Sequence, residues 1–170
     1  MPETVNQRPT IFGSLTSYEK GEIQLVTGSA KEYAFSNIFD VASRAKPYEK
    51  TVVGKNLEYV MEAIRAEGTS QWFAASHDEF VICLDGEVRV EFVKLADPAA
   101  VTSPDVEGTV ALEVDPAGRR MGHIVLRRGH QALLPHGAAY RFLAGDPSVL
   151  LQQTMFGRLS IERWGEICFR

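Results

Sequence analysis

The chain has 170 residues, of which 45% are hydrophobic and 24% charged, with a formal net charge of −4. That composition excludes disorder, and the acidic balance gives no general affinity for a nucleic-acid backbone. No apolar run approaches the roughly 18 residues that a membrane span needs.

One domain with a sizeable core is expected at this length. Fourteen Gly and eight Pro point to a turn-rich β fold, not a helix bundle. The polar stretch Met1 to Arg8 lacks the apolar segment of a signal peptide. Cys83 and Cys168 are too few for a disulfide framework, and their apolar surroundings read as buried thiols. A reducing, cytoplasmic location follows as the expectation.

In chain order, Ile11-Phe12-Gly13 and Ile23-Gln24-Leu25-Val26 read as short strands punctuated by Gly21 and Gly28. Phe35, Ile38, Phe39 and Val41 add apolar surface. Leu57, Val60, Met61 and Ile64 recur at i, i+3, i+4 and i+7, which predicts a helix over 56–67. Asn56 would cap its start and Gly68 would end it. Residues 1–69 are therefore expected to be an arm and a helix packed on a barrel formed by 70–170, all within one structural domain.

From Ser70 onward the period becomes two. Phe80, Ile82 and Leu84 alternate with Glu79, Val81 and Cys83, and Asp85-Gly86 predicts a hairpin turn. Val88, Val90 and Phe92 continue the pattern. Residues 96–108 read as a loop, followed by alternation at Val110, Leu112 and Val114. Strands are expected at 123–126, 131–134, 140–143 and 149–153, with a turn at Gly145-Asp146-Pro147. Arg119-Arg120 and Arg127-Arg128 are placed on turns, as solvated pairs or as a match for an acidic partner surface. Many short strands at this spacing mean a sandwich or barrel.

Two spacings carry more. Glu79 is followed after six residues by Gly86 in "EFVICLDG", and Gly129 is followed after five by Pro135-His136-Gly137 in "GHQALLPHG". Together these frames resemble the two motifs of the cupin family over Trp72 to Gln153. The resemblance implies an all-β fold with one or two short helices: a cupin double-stranded β-helix, or jelly-roll barrel, carrying an N-terminal arm. In a metal-binding cupin, two His and a Glu of the first motif and a His of the second hold the metal, commonly iron. Here the paired His positions fall on Trp72 and Ala74, or on Phe73 and Ala75, and the second-motif His position falls on Tyr140. Only Glu79 remains, so the resemblance implies that this chain binds no metal. A displaced set of His77, Glu79, His136 and Tyr140 would require another register, and a one-residue slip turns a strand over. The plain reading places His77 beside the barrel mouth, bonded to Asp78 or to a partner, and His136 on a solvated turn.

The size, the arm, "NLEYVMEAIRAEG" and "SHDEFVICLDGEVRVEF" further resemble the small subunit of two-component hydroquinone 1,2-dioxygenases. That resemblance implies an α2β2 assembly with a larger cupin-like catalytic subunit. Fe(II) sits in that partner, where an aromatic substrate is cleaved to 4-hydroxymuconic semialdehyde. This chain would then be non-catalytic and inactive alone, stabilising the partner and walling its site. Trp72, Phe73, His77, Glu79, His136 and Tyr140 are the candidates for a substrate pocket or interface, with barrel filling the competing role for Trp72 and Tyr140. The apolar tail with Trp164 and Phe169 is expected to dock on this barrel or on another subunit. Two other functions stay open: a stand-alone metal-free cupin that senses a small molecule, and a metal-independent isomerase using His77 and Tyr140 as acid and base.

Overall fold

The structure, a computed structural model, describes residues 13–21, 26–27 and 36–167. The expected strands at 11–13 and 23–26 fall largely outside these residues, as do Phe35, Cys168 and Phe169. The strands are β1 (Lys50–Asn56), β2 (Tyr59–Thr69), β3 (Trp72–Ala75), β4 (Glu79–Asp85), β5 (Glu87–Leu95), β6 (Thr109–Leu112), β7 (Gly118–Arg127), β8 (Gln131–Leu134), β9 (Ala138–Met155) and β10 (Ser160–Ile161). Three short helices accompany them: α1 (Ile38–Arg44), α2 (Pro98–Val101) and α3 (Trp164–Ile167). None is long and apolar enough to cross a membrane.

β9 organises the barrel because it belongs to both walls. Its first part pairs with β5 from Lys94↔Ala138 to Arg89↔Leu143, and meets β3 at Phe73↔Tyr140. Its second part runs between β2 and β4, for example Glu62↔Gln152 and Val81↔Gln152. One wall is therefore β10-β1-β2-β9-β4-β8 and the other β6-β3-β9-β5-β7. This is the all-β cupin barrel that the two motif frames imply. Gly145-Asp146-Pro147 does not break the chain into two strands. It lies inside β9, opposite the irregularity of β2 between Ala66 and Gly68, a bulge position where proline removes no ladder bond.

The interior is filled from both walls by Ile64, Val81, Val88, Val90, Leu134, Phe142 and Leu150, all essentially inaccessible. Each large aliphatic side chain so buried contributes about 1.5–3 kcal/mol. α1 and α3 cover part of the first wall's outer face, where Val41 and Ile167 pack on Ala63. α1 starts because the Asn37 side chain accepts from the Phe39 and Asp40 amides.

The helix expected over 56–67 is not formed. Asn56 ends β1, Leu57 and Glu58 make the turn, and β2 begins at Tyr59. The barrel wall thus begins at Lys50, ahead of residue 70. Val60, Glu62, Ile64 and Ala66 face inward, and Ala63 is buried on the other side beneath α1. A strand with apolar Tyr59, Met61 and Ala63 on its outer face and a glutamate on its inner one loses the polar–apolar alternation by which strands are read. Gly68 does adopt a left-handed backbone, with φ 72°, but as part of the β2 bulge. Arg119, Arg120 and Arg127 lie on β7, and of the four arginines expected on turns only Arg128 is on one. The Asp85-Gly86 turn forms as expected. Gly86 has φ 78°, and a Cβ there would stand 2.1 Å from Ser148 Oγ, so its place in the motif is fixed sterically.

Candidate functional site

Alternation decides which side chains enter the barrel. On β4 it turns Glu79, Val81 and Cys83 inward, and on β9 it does the same for Tyr140, Phe142, Leu150 and Gln152. Lys50 of β1 and Glu62 of β2 join them, each nearly inaccessible. These polar groups are linked in a chain. Glu79 Oε1 accepts from Thr109 Oγ1 and from Gln152 Nε2 (2.9 Å), and Glu79 Oε2 accepts from the Tyr140 hydroxyl (2.6 Å). Gln152 Oε1 accepts from Lys50 Nζ at 2.7 Å. Lys50 Nζ stands 3.6 Å from Glu62 Oε2 and 5.0 Å from the Phe73 ring centroid. Ser160 Oγ donates to Glu62 Oε1 at 2.6 Å.

Burial, reinforced by the neighbouring Glu79, raises the Tyr140 phenol well above its ordinary value, so it remains an O–H donor. Burial likewise raises Glu62, although Lys50 and Ser160 pull the other way. The Cys83 thiol, also inside, is pushed up to about 11 by burial.

This arrangement does not fit a metal. Phe73 and Tyr140, on or beside family ligand positions, are ring-packed with centroids 5.9 Å apart, and Ala74 and Ala75 offer no donor. Both Glu79 oxygens are already occupied by donors. Among the described residues no group of three His, Cys, Asp or Glu is placed to hold an ion. The displaced set is not assembled either: the structure joins Glu79 and Tyr140 but holds both histidines elsewhere. His77 Nε2 lies 3.0 Å from Thr154 Oγ1 and accepts from the Met155 amide at 3.2 Å. His136 is exposed on the turn after Pro135, its amide donating to Asp78 Oδ1 at 2.8 Å.

Trp72 and Phe73 diverge, as neighbours on a strand must. Phe73 packs against Tyr140 and Phe142. Trp72 lies on the outer face of the second wall, where its Nε1 donates to Asp115 Oδ1 at 2.9 Å and the Arg141 guanidinium sits 4.6 Å over its ring. Arg141 and Arg89 both pair with Glu91, at 2.8 and 2.9 Å. The Arg141 hydrogen bond holds that carboxyl below its ordinary value. Arg120 and His123 complete a shallow cleft of about 110 Å³ beside Trp72. A larger hollow, about 400 Å³, opens between Tyr48, Lys50, Ser70, Phe73 and Leu159.

Lys50, Glu62, Thr109, Gln152 and Ser160 are the site residues that sequence reasoning missed. Gln152 left no distinguishing signal either, since it follows the apolar run 149–151 beside a second glutamine, Gln153.

No family model matches the chain, and no curated protein does. Solved structures do. A chain of hydroquinone 1,2-dioxygenase PnpCD, in complex with Cd2+ and 4-hydroxybenzonitrile, is 54% identical with a TM-score of 0.90, over 98% of this chain and 100% of that one. A chain of hydroquinone 1,2-dioxygenase from Sphingomonas sp. TTNP3, with 4-hydroxybenzoate bound, is 52% identical with a TM-score of 0.92, over 96% and 98%. A different chain of PnpCD, in complex with Fe3+, shares the fold alone: 14% identity, a TM-score of 0.62, 81% of this chain but 37% of that one. That chain is therefore about twice as long. On near full-length identity above one half, this chain belongs to the hydroquinone 1,2-dioxygenase family and shares the cupin barrel of one of its subunits.

Proposed function

We propose that this chain is the smaller, metal-free subunit of a hydroquinone 1,2-dioxygenase. In this reading it assembles with a larger same-fold subunit as α2β2, and Fe(II) held by that subunit supplies the binding and activation of O2 and phenolate. Hydroquinone and O2 give 4-hydroxymuconic semialdehyde there. The chain itself carries no catalytic residue. It stabilises the larger subunit and forms part of the wall of its site. The observation that carries this division of labour is Glu79, a motif carboxylate whose oxygens are taken up by Thr109, Gln152 and Tyr140.

The candidate residues divide accordingly. Phe73, Glu79 and Tyr140 fill and order the barrel, whereas Trp72, half-buried on the outer face beneath Arg141, and His136 on its exposed turn are placed to meet the partner. His77 closes the barrel rim against β9. The isomerase alternative has no support from this geometry, because His77 bonds to Thr154 and Met155 and not across a shared space with Tyr140.

Reconstitution tests the proposal. Produced alone, the chain should show no ring cleavage, as should the larger subunit without it or with much reduced yield; produced together they should consume O2 with hydroquinone. Turnover by this chain alone would sink it.

A further inference from the structure

β7 is the outermost strand of the second wall. Among the described residues it pairs with β5 along its whole length and with no other strand, so none of them covers its second edge. Of its ten residues only Leu126 is buried, and Met121, Ile124 and Val125 are exposed at 53, 38 and 41%. An open edge of this length presents a row of backbone N–H and C=O groups, which natural proteins blunt, cover or use for strand addition.

The charge along this edge has one sign. β7 carries Arg119, Arg120 and Arg127 and no acidic residue, with Arg128 just beyond it. On β5, exposed Lys94 is the register partner of Arg119. Arg127 and Arg128 are engaged by Glu87 and Asp85, at 2.7 and 2.6 Å. Arg119 and Arg120 make no direct ion pair among the described residues, although Arg120 is near enough to Glu91 to help hold its carboxyl down. Such an edge selects its occupant. A second copy pairing β7 to β7 would bring two arginine rows together, which costs several kcal/mol in like-charge contact; an acidic strand would be drawn to it. Discrimination by repulsion of the wrong partner is how specific pairings are commonly secured.

We propose that β7 is a docking edge for an acidic strand of the larger, same-fold subunit. Backbone hydrogen bonds would extend the second wall across the subunit boundary, and carboxylates would match Arg119, Arg120 and Lys94. The cleft of Trp72, Arg120 and His123 borders β7 on the face of the same wall. This inference rests on the two-subunit reading above.

The test is an Arg119→Glu/Arg120→Glu variant of the full chain, co-produced with the larger subunit and compared with the native pair by sedimentation. Both side chains are exposed, so the variant should keep the native unfolding midpoint. Its affinity should fall at least about tenfold, the native complex should weaken with added NaCl more steeply than the variant's, and Arg119→Lys/Arg120→Lys should retain binding. Binding by the charge-reversed variant within about twofold of native would overturn the proposal. So would self-association of the isolated native chain that the reversal abolishes, since that would assign the edge to a second copy. Failure of the native chain to bind the larger subunit at all is a different result, and it would remove the two-subunit reading itself.

Discussion

Lys50 and Glu62 face each other inside the barrel, 2% and 1% exposed. A buried pair of this kind is costly to break and cheap to replace whole. Glu62→Gln and Lys50→Met should each lower stability by about 3–5 kcal/mol. The double replacement Lys50→Met/Glu62→Leu should cost clearly less than the two singles together, with a coupling of about 1–3 kcal/mol in urea unfolding. Additive losses would mean that the two charges are not a unit. Glu62 also sets a sign. Its folded value lies above the ordinary 4.5, so its contribution favours the fold most below that ordinary value and diminishes as pH rises through the folded one. Cys83 gives a second readout at this scale. A thiol pushed from 9.0 to about 11 is roughly a hundredfold poorer in thiolate at pH 8. With Cys168→Ser in place to leave one thiol, iodoacetamide should label the folded chain very slowly and the unfolded chain readily. Rapid labelling of the folded protein would place Cys83 elsewhere.

Elements were legible where one face meets water. β4, β5 and the Asp85-Gly86 turn between them follow from alternation and turn chemistry, and the motif glycine proves to be required by contact with Ser148. β2 was misread because apolar residues on its outer face and an interior glutamate erase the period of two, leaving an accidental helical spacing. β9 was read as two strands because proline and glycine usually end one, whereas here they occupy a bulge. The candidate site was legible in part: Glu79 and Tyr140, named from the motif frames, meet inside the barrel. Missing histidines can be counted along the chain, but the bonds by which Gln152 and Lys50 fill their place join residues about a hundred positions apart. The opposed faces of β3 carry their own prediction. Trp72→Ala should leave the chain folded but weaken assembly with the larger subunit by about 2 kcal/mol, the scale of an aromatic interface anchor, or raise the enzyme's KM for hydroquinone. Phe73→Ala should instead cost about 3–5 kcal/mol of stability. If Trp72→Ala changes neither assembly nor KM, the outer face of the second wall is not the one that meets the partner.

At the scale of the molecule, the motif carboxylate Glu79 is the hub of a buried hydrogen-bond chain. In the proposed reading, Glu79, Tyr140, Gln152 and Lys50 occupy the interior where a cupin metal would sit, a hollow of about 400 Å³ opens beside Lys50 and Phe73, and the outer face offers the Trp72 cleft, the β7 edge and the His136 turn. That distribution supports the proposed role of the chain as the smaller part of a two-subunit assembly. The most direct measurement is the iron content of the two purified states. After incubation with Fe(II) under anaerobic conditions and desalting, the isolated chain should retain essentially none, and the complex should retain one iron per larger subunit. Stoichiometric iron on the isolated chain would contradict the account.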